Sequence, residues 1–442
     1  AHQRREAVNL ARGLAQREAE GRPIRVGLIG AGKFGTMILA QLRLMTGVRL
    51  CVLADLDPAR ARSAAHSAGW DANELTIVET GELALEHEID VLIEATGHEE
   101  AGALHAFRAI ERGVHVVMVT VEADVVVGPY LHRLAQRNGV VYTMAYGDQP
   151  AIVCELVDWA RTCGFDVVAA GKGTKFAPRY RRSTPETAFG YYGFSPEQIA
   201  TGGFNPKMFN SFLDGTKSAI EMVAVANATG LAVNDDGLSF APASVYDLPA
   251  LLRPREDGGI LPYAGMVDVV SCITPDERFV ENHLRWGVFV TFTSQSDYAQ
   301  RCFGEYGIAT DPSGRYAALW RPYHLIGLEI GVSVASAALR GEPTGAPYAG
   351  HRAEVVCATR APMRAGDVVD GEGGYAAYGI CVSSERAREE RLVPMGLAHG
   401  LRLTRDVPAD HRIGVDDVAF DDSSFLWKLR REQDALFTPA AV

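Results

Sequence analysis

The segment IRVGLIGAGKFG, residues 24–35, decides the architecture. An apolar run ends in Gly30, Ala31, Gly32, Lys33, Phe34 and Gly35, and an amphipathic stretch follows at once. Glycine at the first position permits a tight turn. At the second it lets the backbone approach a pyrophosphate, and at the third it lets a helix pack closely on the strand. The helix N-terminus then presents free N–H groups to the anion. Asp55 closes the next apolar run, at the spacing where an acid meets the hydroxyls of an adenosine ribose. Strand, turn, helix and acid together predict a dinucleotide-binding βαβ unit. Asp55 favours NAD, whereas Arg60 and Arg62 in the following helix offer cations to the 2′-phosphate of NADP, so these residues leave the cofactor open between the two.

Outward from this unit the alternation continues. Strands are expected at 25–29, 49–54, 76–79, 90–95, 115–120 and 140–144, separated by helical stretches such as 58–68 and 99–112. A short amphipathic helix is expected within 1–21. Ligands of such parallel sheets sit beyond the carboxyl ends of the strands. Ala95, Thr96 and Gly97 after the fourth strand, and Thr120 and Glu122 after the fifth, are therefore expected to line the cofactor. The fold class is α/β: a Rossmann domain over 1–164, an inserted α+β catalytic domain over 165–322, and a helix returning to the first domain within 323–345. Glycine and proline at 340–347 mark a linker, and 346–442 reads as a small β domain.

Composition narrows the functional class. The chain has 442 residues, 47% hydrophobic and 22% charged, an ordinary globular balance, and at ~150 residues per domain the length suggests about three domains. No apolar run reaches the ~18 residues needed to span a bilayer, and the N-terminal stretch lacks the apolar block of a signal peptide. Seven cysteines without metal-ligand spacing are expected as reduced thiols in a cytoplasm, with Cys154, Cys163, Cys272 and Cys357 in the core. A net charge of −12 argues against binding nucleic acid. No internal repeat is present.

Candidate chemistry gathers in the middle of the chain. Asp214, Lys217 and Glu221 fall at i, i+3 and i+7 of one expected helix over 208–229, so a single face carries an ammonium between two carboxylates. The rest of that helix is apolar, and buried charges are costly unless paired or used. Lys217 is the expected proton donor to a substrate carbonyl receiving hydride, oriented by Asp214 and Glu221; a structural ion-pair stripe is the alternative. After a strand at 166–170, Gly171, Lys172, Gly173, Thr174 and Lys175 lead to Arg179, Arg181 and Arg182. Glycine backbone N–H groups and lysine charge suit a phosphate or carboxylate, the alternative being an exposed basic loop. Asp148, just after the sixth strand, is a candidate for substrate or metal contact, or else a helix N-cap. His324, where the returning helix is expected to begin, is the histidine candidate.

The motifs GAGKFG, GDQPA, AAGKGTKF, SFLDGTK and RPYHLIGLE, over roughly residues 20–345, resemble the 1-deoxy-D-xylulose 5-phosphate reductoisomerase-like proteins of the homoserine dehydrogenase superfamily. AGDVVDGEGG and LTRDVPADHRIGVDDV resemble the two halves of a SAF domain. The resemblance implies NADPH-dependent conversion of 1-deoxy-D-xylulose 5-phosphate to 2-C-methyl-D-erythritol 4-phosphate, a step toward isoprenoid precursors. It implies that Lys172, Lys175 and nearby arginines take the phosphate, that Lys217 polarises vicinal oxygens, and that the protein is a homodimer. Standard reductoisomerases hold a divalent metal, magnesium or manganese, on an Asp-x-Glu motif that has no counterpart matched here, so the metal ligands are unknown. The superfamily offers a competing reading, a metal-free dehydrogenase of a small hydroxy acid or sugar acid. A third, from another class, is a ligand-sensing module with a regulatory Rossmann domain.

Overall fold

Short apolar runs in the N-terminal part pair into a parallel sheet. β1 (Ile24–Ile29), β2 (Val48–Ala54), β3 (Ile77–Val78), β4 (Val91–Glu94), β5 (His115–Met118) and β6 (Tyr142–Met144) stand in the order β3-β2-β1-β4-β5-β6. The order reverses between β1 and β4, and a dinucleotide binds at such a switch point. This computed structural model describes residues 9–71, 73–202, 204–420 and 422–437. The expected N-terminal helix is Leu10–Ala19, and the part of that expectation on residues 1–8 lies outside the described residues.

Each helix of this part has a local reason to start where it does. Lys33–Leu42 begins directly on the glycine turn. Pro58–Ser67 has proline at its first position, and the Asp57 side chain accepts from the Ala59 and Arg60 N–H groups at 3.0 and 3.2 Å, satisfying two donors that helix geometry leaves free. Helices Glu99–Glu111 and Val121–Arg137 follow β4 and β5. Val26, Leu28, Val91, Ile93 and Val117 of the sheet are fully buried against Ile38, Leu39, Ala61 and Ala65 of the helices.

The returning segment joins this core but begins later than expected. Its helix is Gly331–Ala335, continuing as a wider turn through Ser336–Arg340. Residues 325–330 instead run as a turn over the helix Lys33–Leu42, so close that a side chain at Gly327 would stand 3.2 Å from the Phe34 carbonyl. Ile330 and Val334 complete the buried cluster. Near the C-terminus, Gln433 of the helix Phe425–Phe437 donates to the Val126 carbonyl at 2.9 Å.

The chain divides into two compact units: the described residues of Ala1–Ile152, Leu325–Tyr348 and Lys428–Val442, and those of Val153–His324 and Ala349–Trp427. The second is built on a mixed sheet of β7 (Asp166–Thr174), β8 (Ala241–Pro242), β9 (Met266–Ser271), β10 (Val288–Thr293), β11 (Ala309–Thr310) and β12 (Ala317–Arg321), ordered β11-β12-β10-β7-β9-β8. Two sequence expectations change here. The glycine-rich stretch 171–174 is not a loop after the strand but the second half of β7. Side chains at Gly171 and Gly173 would lie 1.8 and 1.7 Å from the Asp268 and Leu284 carbonyl oxygens, so these glycines serve close backbone approach. The expected single helix 208–229 is two, Pro206–Asp214 and Thr216–Thr229, broken at Gly215 with φ +91°.

The hairpin of β13 (Ala353–Thr359) and β14 (Ala377–Ser383) lies on the helix Thr216–Thr229. The Gly379 N–H donates to Thr216 Oγ1 at 2.7 Å, and Asn227 Oδ1 accepts from the Arg352 and Ala353 N–H groups at 2.8 and 3.0 Å. Among the described residues no helix is long and apolar enough to cross a membrane. The seven cysteines are free thiols; Cys272 and Cys357 are buried as expected and Cys154 is half-buried, but Cys163 is exposed, because it follows the end of the helix Gln149–Thr162.

Candidate functional site

The dinucleotide turn sorts its three glycines by different requirements. Gly30 has φ +103°, and a side chain there would stand 2.4 Å from the Ala95 carbonyl oxygen. At Gly35 a side chain would meet the Gly30 carbonyl at 2.0 Å, so the helix packs directly on the turn. Gly32 faces open space, with no atom within 4 Å of where a side chain would begin, and caps the helix Lys33–Leu42 with no side-chain hydrogen bond. Its first N–H groups are thus left for an anion. Lys33 is exposed at that first turn, and Phe34 is partly buried against the core.

At the end of β2 the Asp55 carboxylate accepts from the Ala31 N–H at 2.8 Å and the Asp57 N–H at 2.9 Å. Arg60 covers it, with Nη2 at 2.6 Å. Burial pushes the Asp55 carboxyl up, but Arg60 and the two N–H donors outweigh it and hold the group below its ordinary range. The ends of β4 and β5 are tied by Glu94, a buried carboxylate that sequence reading passed over as part of an apolar strand. It accepts from Thr96 Oγ1 at 2.6 Å and from Thr120 Oγ1, while Thr120 Oγ1 accepts the Gly97 N–H at 3.0 Å. Thr96, Gly97 and Thr120 therefore meet in one network, beside Ala95, at the edge where the cofactor was expected. Glu122 is half-buried in the first turn of the helix after β5.

In the second unit the charged side chains pair differently from the expected stripe. The break at Gly215 puts Asp214 on a separate helix from Lys217 and Glu221. Asp214 is buried against Arg360, 146 residues away in sequence, and accepts from the Thr216 N–H at 2.7 Å. Burial raises the Asp214 carboxyl above its ordinary range despite the guanidinium. Glu221 is buried against Lys172, which projects from β7. Lys217 is half-buried at the second position of the helix Thr216–Thr229. The result is a buried ammonium held by a carboxylate, centred on Lys172.

The basic stretch is also distributed. Lys175 donates to the Tyr191 carbonyl and lies 5.9, 5.9 and 6.0 Å from the ring centres of Tyr180, Tyr192 and Phe279. Arg179 pairs with Glu277, Arg182 pairs with Asp410, and Arg181 lies over Tyr378 at 5.1 Å. Asp148 is buried directly before the helix Gln149–Thr162, its Oδ1 accepting the Gln149 N–H at 2.9 Å. His324 Nδ1 lies 2.7 Å from the Trp286 carbonyl. Among the described residues no group of three or more His, Cys, Asp or Glu side chains stands close enough to hold a metal ion. The residues present do not fit the divalent metal implied by the reductoisomerase resemblance, and no step below runs through one.

Residues 30–144 match the family model described as homoserine dehydrogenase, NAD binding domain, and residues 147–330 that described as oxidoreductase DRL, catalytic domain. By these descriptions the first is a dinucleotide-binding domain and the second an oxidoreductase catalytic domain. No curated protein matches the chain in sequence. Among solved structures, an inositol dehydrogenase homolog from Azotobacter vinelandii complexed with NAD+ is 20% identical, covering 36% of this chain and 43% of its own, with a TM-score of 0.28. The chain thus spans less than half the length of that protein. A homoserine dehydrogenase from Thiobacillus denitrificans is 15% identical over 78% of this chain and 83% of its own, with a TM-score of 0.45. A myo-inositol dehydrogenase from Corynebacterium glutamicum is 11% identical over 72% and 86%, with a TM-score of 0.39.

Proposed function

We propose that the chain is an NADPH-dependent reductoisomerase converting 1-deoxy-D-xylulose 5-phosphate to 2-C-methyl-D-erythritol 4-phosphate. The observation that carries this reading is the buried Lys172–Glu221 pair, within the residues matched as an oxidoreductase catalytic domain. In this reaction the carbon skeleton rearranges to an aldehyde, which then accepts hydride. The bound nicotinamide supplies that hydride. Lys172 carries three N–H donors. One is engaged by Glu221, and the others polarise the carbonyl oxygen and deliver a proton as negative charge develops on it. Lys217, on the same helix as Glu221, is a second donor to the vicinal oxygens. NADPH is preferred over NADH because Arg60 covers Asp55, neutralising the acid and presenting a guanidinium to a 2′-phosphate.

One observation favours a second reading, a dehydrogenase of a small hydroxy acid or sugar acid. A lysine-centred site without a metal-holding group among the described residues suits simple hydride transfer at a carbinol carbon. Two further inferences go with either reading: a cytoplasmic homodimer, tested by light scattering, and a SAF-like character for 346–442.

The test is to mix the protein with NADPH and 1-deoxy-D-xylulose 5-phosphate, with and without magnesium or manganese, and follow nicotinamide absorbance and product mass. Formation of the methylerythritol product upholds the first reading. Silence with that substrate, but turnover of a hydroxy acid or sugar acid with NAD(P), moves the assignment to the second. Binding of NADPH with no turnover of either panel leaves a sensing role.

A further inference from the structure

Glu94 ends β4 with no exposed surface, and among the described residues no lysine or arginine pairs with it. A carboxylate buried without a cation is costly unless hydrogen bonds replace the water it lost. Here both of its oxygens are acceptors. Thr96 Oγ1 takes the His98 N–H at 3.3 Å and gives its own proton to Oε1; Thr120 Oγ1 takes the Gly97 N–H at 3.0 Å and gives its proton to Oε2. The Thr96 N–H adds a bond to Oε1 at 3.3 Å. Two helices also begin beside the group. Thr120 is the N-cap of Val121–Arg137, and a side chain on Gly102, near the start of Glu99–Glu111, would stand 3.1 Å from Oε2. Helix N-termini favour negative charge. Hydroxyls and helix ends therefore stand where a cation would otherwise be needed. The ionisable side chain bonded to Glu94 is His105, whose Nδ1 lies 3.4 Å from Oε1.

This charge stands on the nicotinamide side of the sheet. A dinucleotide lies across the two halves of such a fold. Asp55 at the end of β2 marks the adenosine half and the turn at 30–35 the pyrophosphate, which leaves the nicotinamide half to β4, β5 and β6. The end of β4 abuts that turn: a side chain on Gly30 would meet the Ala95 carbonyl oxygen at 2.4 Å and the Thr96 nitrogen at 3.0 Å. Hydride transfer changes the charge on this half. The reduced ring is neutral, and once the hydride and its electron pair have gone to a substrate carbon the ring carries one positive charge. A fixed anion nearby stabilises the second state over the first, and a buried one is little screened by salt.

We infer that the buried Glu94 carboxylate tunes the bound cofactor, favouring its oxidised form and so making the reduced form a stronger hydride donor. The inference rests on the nicotinamide cofactor and on neither choice of substrate. The test is binding without substrate: NADP+ and NADPH, with NAD+ and NADH alongside, are titrated calorimetrically into the full chain at pH 8, where an ordinary imidazole, with a pKa of about 6.5, is neutral. Glu94→Gln is expected to raise the ratio of the NADP+ to the NADPH dissociation constant roughly tenfold, the factor a unit charge gives out to ~12 Å at an effective dielectric of ~20. Glu94→Asp keeps the charge and should keep the wild-type ratio. Damage to packing weakens both forms alike, so the ratio separates charge from structure. A wild-type ratio in Glu94→Gln, or a shift in Glu94→Asp as large as in Glu94→Gln, would overturn the inference. Should Glu94→Gln not fold, the unaltered protein decides: NADP+ is expected to bind at least as tightly as NADPH, and tighter binding of NADPH overturns the inference. The two readings fail separately. If none of the four dinucleotides binds, the dinucleotide reading is wrong; if they bind and the ratio does not move, only the role of Glu94 is wrong.

Discussion

Replacing Lys172 by methionine is expected to destabilise the second unit by about 3–5 kcal/mol, the range for removing one partner of a buried ion pair. The structure gives the reason: Lys172 and Glu221 are 6% and 4% exposed, so methionine leaves a carboxylate with neither water nor countercharge. At about 2–4 °C per kcal/mol for a domain of this size, thermal unfolding should fall by roughly 10 °C. Lys172→Met with Glu221→Leu removes both charges and should recover most of that loss, since apolar replacements of a buried pair are often neutral or better. The double variant separates stability from chemistry. It is expected to unfold near the wild-type temperature yet lose about 10²–10⁴-fold in turnover, the share of a positioned proton donor. Circular dichroism melts of the four proteins, with NADPH oxidation measured on each, complete the cycle. A single variant within about 1 kcal/mol of wild type would show the pair to be solvated. A double variant that regains turnover along with stability would reduce Lys172 to a structural role.

Three further outcomes follow from particular contacts. Gly32→Ala should fold normally, because nothing lies within 4 Å of the new methyl, yet bind NADPH more than tenfold more weakly; Gly35→Ala should lower the melting temperature, because its methyl meets the Gly30 carbonyl at 2.0 Å. Similar effects on melting from both would contradict the assignment of the turn. Arg60→Ala uncovers Asp55, so kcat/KM for NADPH should drop about 10- to 100-fold, as for a lost hydrogen bond to a charged group, while NADH is used as well or better; an unchanged cofactor ratio in steady-state kinetics refutes the proposed preference. Asp124 is fully buried in the first turn of the helix Val121–Arg137; among the described residues only the Tyr142 hydroxyl, at 2.8 Å, donates to it, and burial pushes its carboxyl up to about 6. The folded state thus binds the proton more tightly than the unfolded one, so Asp124 lowers stability as pH rises from about 4 through 6. The stability of Asp124→Asn relative to wild type should therefore improve by about 2.5 kcal/mol between pH 4 and pH 8, and denaturant titrations giving a pH-independent difference would refute it.

What the sequence revealed about fold and site follows from how local each feature is. The turn at 30–35 and the acid at Asp55 are each fixed by residues a few positions apart, and both were legible. Asp214 with Arg360, and Lys172 with Glu221, join residues 146 and 49 apart, and spacing along a chain carries no signal for such pairs. The helix over 208–229 misled because both halves are buried, so apolar periodicity runs unbroken across Gly215. Glycine was the residue most often misread, because its two uses look alike in sequence. At Gly30 it supplies a positive φ, and at Gly171 and Gly173 it lets the backbone of Asp268 and Leu284 approach; only knowing what stands opposite distinguishes a strand from an anion loop. Gly32 fits neither use. Its φ of −73° is open to any residue, and no protein atom lies within 4 Å of a side chain placed there. Folding does not explain a glycine at that position, whereas a molecule that must come as close as the backbone allows does, and this ties the turn to a dinucleotide more firmly than the spacing of its glycines.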